Sequence, residues 1–182
     1  MTPTIQITYF VHGTTTDNEL GIASGHSDVG LSELGFRQSN ELREKLKGKQ
    51  FDLVVSSDLL RARQTAKIVF PNQTIEFDSR LKECDYGSLT GSKASQFDLN
   101  EYVEKPFPKG ESYLNVEERV KSLLEELKEK STTEQKLAFV SHQAPQLALE
   151  VLTKNKTWKE AVEQDWRQKT PKEWRPGWAY QY

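Results

Sequence analysis

The sequence predicts an α/β fold: three α/β/α layers around a mainly parallel central sheet flanked by helices. Three observations carry that reading. Four short apolar runs, "IQITYFV" (5–11), "FDLVVSS" (51–57), "QTIEF" (73–77) and "KLAFVSH" (136–142), have the length of strands. Segments of helical periodicity separate them, and strands alternating with helices give a parallel sheet covered on both faces. Three chain segments at the ends of these runs carry distinctive polar residues: "VHG" at 11–13, "SSDLLR" at 56–61 and "VSHQ" at 140–143. Ligands of such sheets bind outside the carboxyl ends of the strands, so these three stretches would meet on one edge.

Taken in order, residues 5–11 form a buried strand. "LSELGFRQSNELREKLKG" (31–48) reads as a helix with Ser32 as its N-cap and Gly48 past its end. The run at 51–57 leads into a helix over 58–70, and 73–77 is a short third strand. Residues 86–112 contain Gly87, Gly91, Pro106, Pro108 and Gly110 and read as loop and short helix. In "YLNVEERVKSLLEELKEK" (113–130), Val116, Val120, Leu123, Leu124 and Leu127 share one face of an amphipathic helix. A fourth strand at 136–142 precedes a helix at 144–152. The stretch 158–182 holds all four tryptophans, and Trp158, Ala161, Val162 and Trp166 make the apolar side of one more helix. We expect it to pack on the core of a single domain spanning 1–182, with "WAYQY" as an edge strand. The same aromatic side chains would suit a substrate lid or the contact of a homodimer.

The length of 182 residues fits one domain with one sizeable core. With 25 basic and 27 acidic residues the net charge is -2. That balance provides no basic field for nucleic acid and no attraction to an anionic membrane, so an anion must be bound locally. No apolar run is long enough to span a bilayer, and no basic segment precedes an apolar one at the N-terminus. Cys84 is the one cysteine, which excludes an internal disulfide framework. The cytoplasm is therefore the expected compartment.

Several chemistries drop out on spacing. His12, His26 and His142 form no zinc-ligand pair at helical or hairpin spacing. "GSLTGSK" (87–93) lacks the spacing of a phosphate-binding GxxxxGK[ST] loop. No arginine lies six residues after Cys84, where Thr90 stands, and no serine sits in a G-x-S-x-G elbow. No metal and no cofactor are called for. A histidine nucleophile or a histidine acid/base site remains. His26 reads as a surface histidine, Glu111 as a helix-start charge and Cys84 as a small apolar filler.

"VHGTTTDN", "SSDLLRARQTA", "LKECDYGSLTG", "GESYLNVEERV" and "FVSHQ" resemble the ordered motifs of the histidine phosphatase superfamily, the phosphoglycerate mutase-like group, from about residue 5 to about residue 152. The resemblance implies a role for each matching residue. His12 would attack phosphorus as a neutral imidazole and form a phosphohistidine. Glu83 would protonate the leaving alcohol and then activate water, which a carboxyl group does best when partly buried or near apolar groups. Arg61 would clamp phosphate oxygens with its planar fork. His142 would donate to the transferring phosphoryl group. Thr15, Asn18 and the backbone N–H of Gln143 would add neutral donors.

One position departs from the family pattern. Val11 stands where the family has an arginine directly before the nucleophilic histidine. Losing such a donor could cost about 3–4 kcal/mol, or about 100–1000-fold in rate. Either another cation such as Arg80, Arg63 or Lys82 fills the gap, or the protein is a weak or inactive binding homologue, or the substitution is deliberate. The retention of His12, Arg61, Glu83 and His142 argues against full decay. "YGSLTGSK" resembles the mutase form of the glutamate motif. Yet residues 84–141 are short for a mutase and carry no arginine until Arg119. A metal-independent phosphatase acting on a small phosphorylated substrate is the expected function.

Overall fold

The computed structural model describes residues 4–170 and 174–182, so residues 171–173 of the tryptophan-rich stretch lie outside the described residues. The strands are β1 (Ile5–Val11), β2 (Leu53–Ser56), β3 (Ile75–Phe77), β4 (Gln135–Ser141) and β5 (Trp178–Gln181). They form one sheet in the order β3-β2-β4-β1-β5. Every pairing is parallel except that of β1 with β5. The main helices are α1 (Thr16–Leu20), α2 (Glu33–Lys45), α3 (Leu60–Val69), α4 (Tyr113–Lys130), α5 (Gln143–Lys154), α6 (Trp158–Glu163) and α7 (Trp166–Lys169).

Alternation along β1 builds two cores. Ile5, Ile7 and Tyr9 face a cluster that includes Val120, Leu123 and Leu124 of α4 and Leu147 of α5. Phe10 faces the other side, with Leu42 of α2 and Ala62, Ala66 and Val69 of α3. Successive strand residues point to opposite faces, so a strand with both sets apolar must be covered twice. Helix α4 begins at its Ser112 N-cap, which forms a capping box with Asn115, and buries the valine and leucine face expected of it. Ser32 caps α2 as expected, but the helix stops at Lys45, ahead of Gly48. Helix α1 was not expected. Its five residues are too few for periodicity to register, and its capping box pairs Thr15 with Asn18 rather than with a glutamate or glutamine.

The segment after Cys84 holds short 3-10 turns at Gly87–Leu89, Ala94–Gln96 and Leu99–Tyr102. An aromatic cluster fixes it. Phe107 stacks on Tyr102 with centroids 3.8 Å apart and meets Tyr86 and Phe97 edge-on. Such pairs contribute about 0.5–1.5 kcal/mol each beyond their buried area. They order a glycine- and proline-containing loop into a wall.

Candidate active site

Register brings the strand ends together. Val11 of β1 pairs with Ser141 of β4, so His12 and His142 follow side by side, with ring centroids 5.0 Å apart. Ser56 of β2 pairs with Val140, which sets Ser57 beside His142. The two histidines, 130 positions apart in the chain, become neighbours because both strands end in the same row of the sheet.

His12 Nδ1 lies 2.7 Å from Gly13 O. A carbonyl only accepts, so Nδ1 carries the ring hydrogen and Nε2 keeps its lone pair. Burial, with the Arg61 guanidinium adding to it, pushes the His12 pKa down to about 3. The ring is therefore neutral at physiological pH. His12 N donates to Ser141 O, and His12 O accepts from Trp174 Nε1 at 3.0 Å. The turn behind it is tight. Helix α2 passes so close that a Cβ on Gly35 would sit 2.0 Å from Thr14 O, and one on Gly13 would sit 2.6 Å from Gly35 O. Only glycine at both positions permits that approach.

His142 is fully buried. Its Nε2 hydrogen-bonds Ser57 Oγ at 2.8 Å, and its Nδ1 has no partner among the described residues. Its pKa is held well below the ordinary value by burial, with Arg61 and His12 adding to the effect. Tyr9 braces the backbone here, donating to His142 O and accepting from His142 N. Arg61 is 2 % exposed. Its Nη1 donates to Ser27 O and its Nη2 to Gly25 O, so the loop at 25–27 aims the guanidinium. Two of its five N–H groups are used.

Glu83 is buried as expected. Its Oε1 accepts from the backbone N–H of Cys84 and Ala144, each at 2.9 Å, and its Oε2 from that of Gln143 at 3.1 Å. It caps the N-terminus of α5, where unpaired N–H groups and the helix dipole favour negative charge. The Gln143 N–H expected to meet a phosphate is thus engaged by Glu83. Thr15 also differs from expectation. It is fully buried, and its hydroxyl accepts from Asn18 N at the start of α1. Asn18 does line the cavity. Its Oδ1 accepts from Thr15 N, so its Nδ2 is the group it can offer.

His12, Arg61, Glu83 and Asn18 share one cavity of about 1040 Å³ with Val11 and Thr14. Tyr86, Phe97 and Leu99 form an apolar wall; Val162, Trp166 and Trp174 form another. Glu19, Asp98 and Glu163 are acidic residues along its lining. The other sequence candidates lie elsewhere. His26 Nε2 donates to the backbone carbonyl of Glu83 at 2.8 Å. Glu111 receives Arg119 through both carboxylate oxygens, which takes Arg119 out of the cavity. Burial pushes the Cys84 thiol pKa up, in keeping with an unreactive filler. Arg80 binds Asp78 and Glu126, Lys82 binds Asp58, and Arg63 lies over the Phe77 ring. None of these three cations lines the cavity. Sequence reasoning gave Arg167 no part here, and its "DWR" context carries no local signal for one, yet it reaches the cavity. Among the described residues no cluster of histidine, cysteine, aspartate or glutamate could hold a metal ion, and no helix is long and apolar enough to cross a membrane.

The family model described as histidine phosphatase superfamily (branch 1) matches residues 9–161. Phosphoserine phosphatase 1 of Hydrogenobacter thermophilus is 31% identical over 150 residues, covering 76% of this chain and 71% of its own length. The fructose-2,6-bisphosphatase TIGAR of Xenopus tropicalis is 32% identical over 134 residues, 66% of this chain but only 49% of its own length. A mycobacterial glucosyl-3-phosphoglycerate phosphatase solved with VO3 superposes with a TM-score of 0.79 at 27% identity, over 87% of this chain and 86% of that one. A Bacillus anthracis phosphoglycerate mutase shares the fold, with a TM-score of 0.74 at 20% identity over 85% of this chain and 82% of that one. Since the family model spans most of the chain, including both strand-end histidines, this protein belongs to branch 1 of the histidine phosphatase superfamily.

Proposed function

We propose that this chain is a phosphomonoester phosphatase that works through a phosphohistidine on His12 Nε2. One observation carries the reading: a neutral imidazole, its Nδ1 tied to Gly13 O, opens onto a cavity that also holds Arg61 and Glu83. In the first step the Nε2 lone pair attacks phosphorus and the bond from phosphorus to the leaving oxygen breaks. The leaving oxygen takes a proton from Glu83. Three of the four lone-pair sites of the Glu83 carboxylate are occupied by backbone N–H groups, which leaves one position, on Oε2, through which proton transfer can run. In the second step that same position removes a proton from water as the water oxygen attacks phosphorus and the N–P bond breaks. Arg61 stabilises the charge on the phosphoryl oxygens; His142, expected to donate to them, is fully buried against His12 and Ser57 and is not part of the cavity lining. Positive charge comes from side chains, so the scheme needs no metal. Phosphoserine phosphatase 1, TIGAR and the mycobacterial glucosyl-3-phosphoglycerate phosphatase are each named as phosphatases of a small phosphorylated molecule, and a small phosphomonoester is the substrate class proposed here. Water is the acceptor in this reading; Arg119, the first arginine after the acid, is bound to Glu111 and does not line the cavity.

The test is hydrolysis of an aryl phosphate in the presence of EDTA, with His12→Ala as control. Activity well above the control, with phosphate trapped on His12 after an alkaline denaturing quench that preserves the acid-labile N–P bond, is expected. Equal activity in the two proteins would overturn the reading. It would favour a second one, binding of a phosphorylated ligand without turnover, for which Val11 is the supporting feature.

A further inference from the structure

The cavity has an apolar residue where an arginine would precede the nucleophile. Val11 is 8 % exposed and lines the cavity beside His12. Among the described residues only two lysine or arginine side chains line that cavity, Arg61 and Arg167. The second comes from α7, whereas Arg61 comes from α3.

Arg167 is built in. Its Nη1 donates to Asp165 Oδ1 at 2.9 Å and its Nη2 to Gln146 Oε1 at 2.8 Å. Asp165 and Gln146 are both buried, at 5% and 4% exposure. The other carboxylate oxygen of Asp165 accepts from Gln143 Nε2, and Gln143 N is bound to Glu83. One chain of hydrogen bonds therefore runs from the acid through α5 to this guanidinium. The group also lies over the Trp166 ring, 4.6 Å from its centroid. A surface arginine has no use for two buried acceptors. Fixing a planar fork in this way removes rotamer freedom before a ligand arrives, and three N–H groups remain to donate. The position is within electrostatic reach of the nucleophile, because Arg167 disfavours the protonated form of His12.

We infer that Arg167, delivered by the C-terminal segment, supplies the second guanidinium on the transferring phosphoryl group, in place of the arginine that Val11 displaces. This rests on the phosphatase reading above. The charge needed by the transition state is the same, but it reaches the site from a different element. It follows that the C-terminal segment is part of the catalytic apparatus.

The experiment is a double-mutant cycle on aryl phosphate hydrolysis with Arg167→Ala, Val11→Arg and the pair. Arg167→Ala is expected to lower kcat about 100–1000-fold, as loss of one oxyanion donor does. Val11→Arg added to Arg167→Ala should restore at least about tenfold over Arg167→Ala, more than it raises the wild type, the non-additivity of groups that serve one charge. Free guanidinium should likewise raise the rate of the alanine variant and leave that of the wild type unchanged. An alanine variant within about twofold of the wild type would overturn the inference. So would a large loss that neither Val11→Arg nor guanidinium repairs, since the role would then be structural. If circular dichroism shows the alanine variant unfolded, Arg167→Gln is read by the same criteria. If the wild type is no more active than His12→Ala, the phosphatase reading has failed on its own. The inference is then judged by inorganic phosphate binding, which Arg167→Ala should weaken at least about tenfold and which an unchanged affinity would refute.

Discussion

Acidification will destabilise this fold, and His12 accounts for a definable share of the loss. Burial and the Arg61 guanidinium take its pKa from 6.5 in the unfolded chain to about 3 in the folded one. Between those values the unfolded chain binds a proton that the folded chain does not, so stability falls as pH falls. The stabilisation is fully present above about pH 6.5 and diminishes until the folded ring itself titrates. At pH 5 the His12 contribution lost is about 2 kcal/mol, at about 1.36 kcal/mol per pH unit. That is a sizeable part of a domain stability of about 5–15 kcal/mol. His142, also held low by burial and by Arg61, adds a loss of the same sign. Urea unfolding followed by circular dichroism at pH 7 and at pH 5 gives the wild-type loss. His12→Asn, which cannot titrate, should lose about 2 kcal/mol less over the same interval. Equal losses in the two proteins would refute the reasoning, because they would place the folded pKa of His12 near its ordinary value.

Two further outcomes are expected. Glu83→Gln keeps the shape but turns one carboxylate oxygen into an N–H donor facing the backbone N–H groups of Cys84, Gln143 or Ala144. Turnover of aryl phosphate should fall about 100–10,000-fold and stability about 1–3 kcal/mol; wild-type turnover in this variant would sink the assignment of Glu83. Gly35→Ala would put a Cβ 2.0 Å from Thr14 O, at the turn that follows His12. Such overpacking costs about 1–3 kcal/mol or more, so the melting temperature should drop by several degrees and activity with it, and an unchanged thermal melt would contradict the close approach.

Much of this molecule could be read from short stretches of sequence. The 3.6-residue spacing of Val116, Val120, Leu123, Leu124 and Leu127 specifies α4 and the face it buries, and Ser112 and Ser32 mark where α4 and α2 begin. These signals act within one or two helical turns, so no tertiary contact is needed to see them. The convergence of His12, Arg61 and His142 was also legible, because a parallel sheet fixes which ends of its strands meet. Glu83 needed the motif around it as well. Tertiary structure alone decided the hydrogen-bonding of the site. Gln143 N–H could serve a phosphate or the Glu83 carboxylate, and the packing of the loop at 83 against the start of α5 chose the carboxylate. Thr15 could line the cavity or cap α1, and the five-residue helix that settles this has no periodicity to announce it. Trp174 and Arg167 show the limit most clearly. Trp174 reaches the carbonyl of His12 across 162 positions of chain, and Arg167 depends on Asp165, Gln146 and Gln143 being held together by two helices. A local pattern encodes which face of an element is apolar. Which distant polar group that element then brings to the site depends on how the elements pack, and no stretch of sequence carries that by itself.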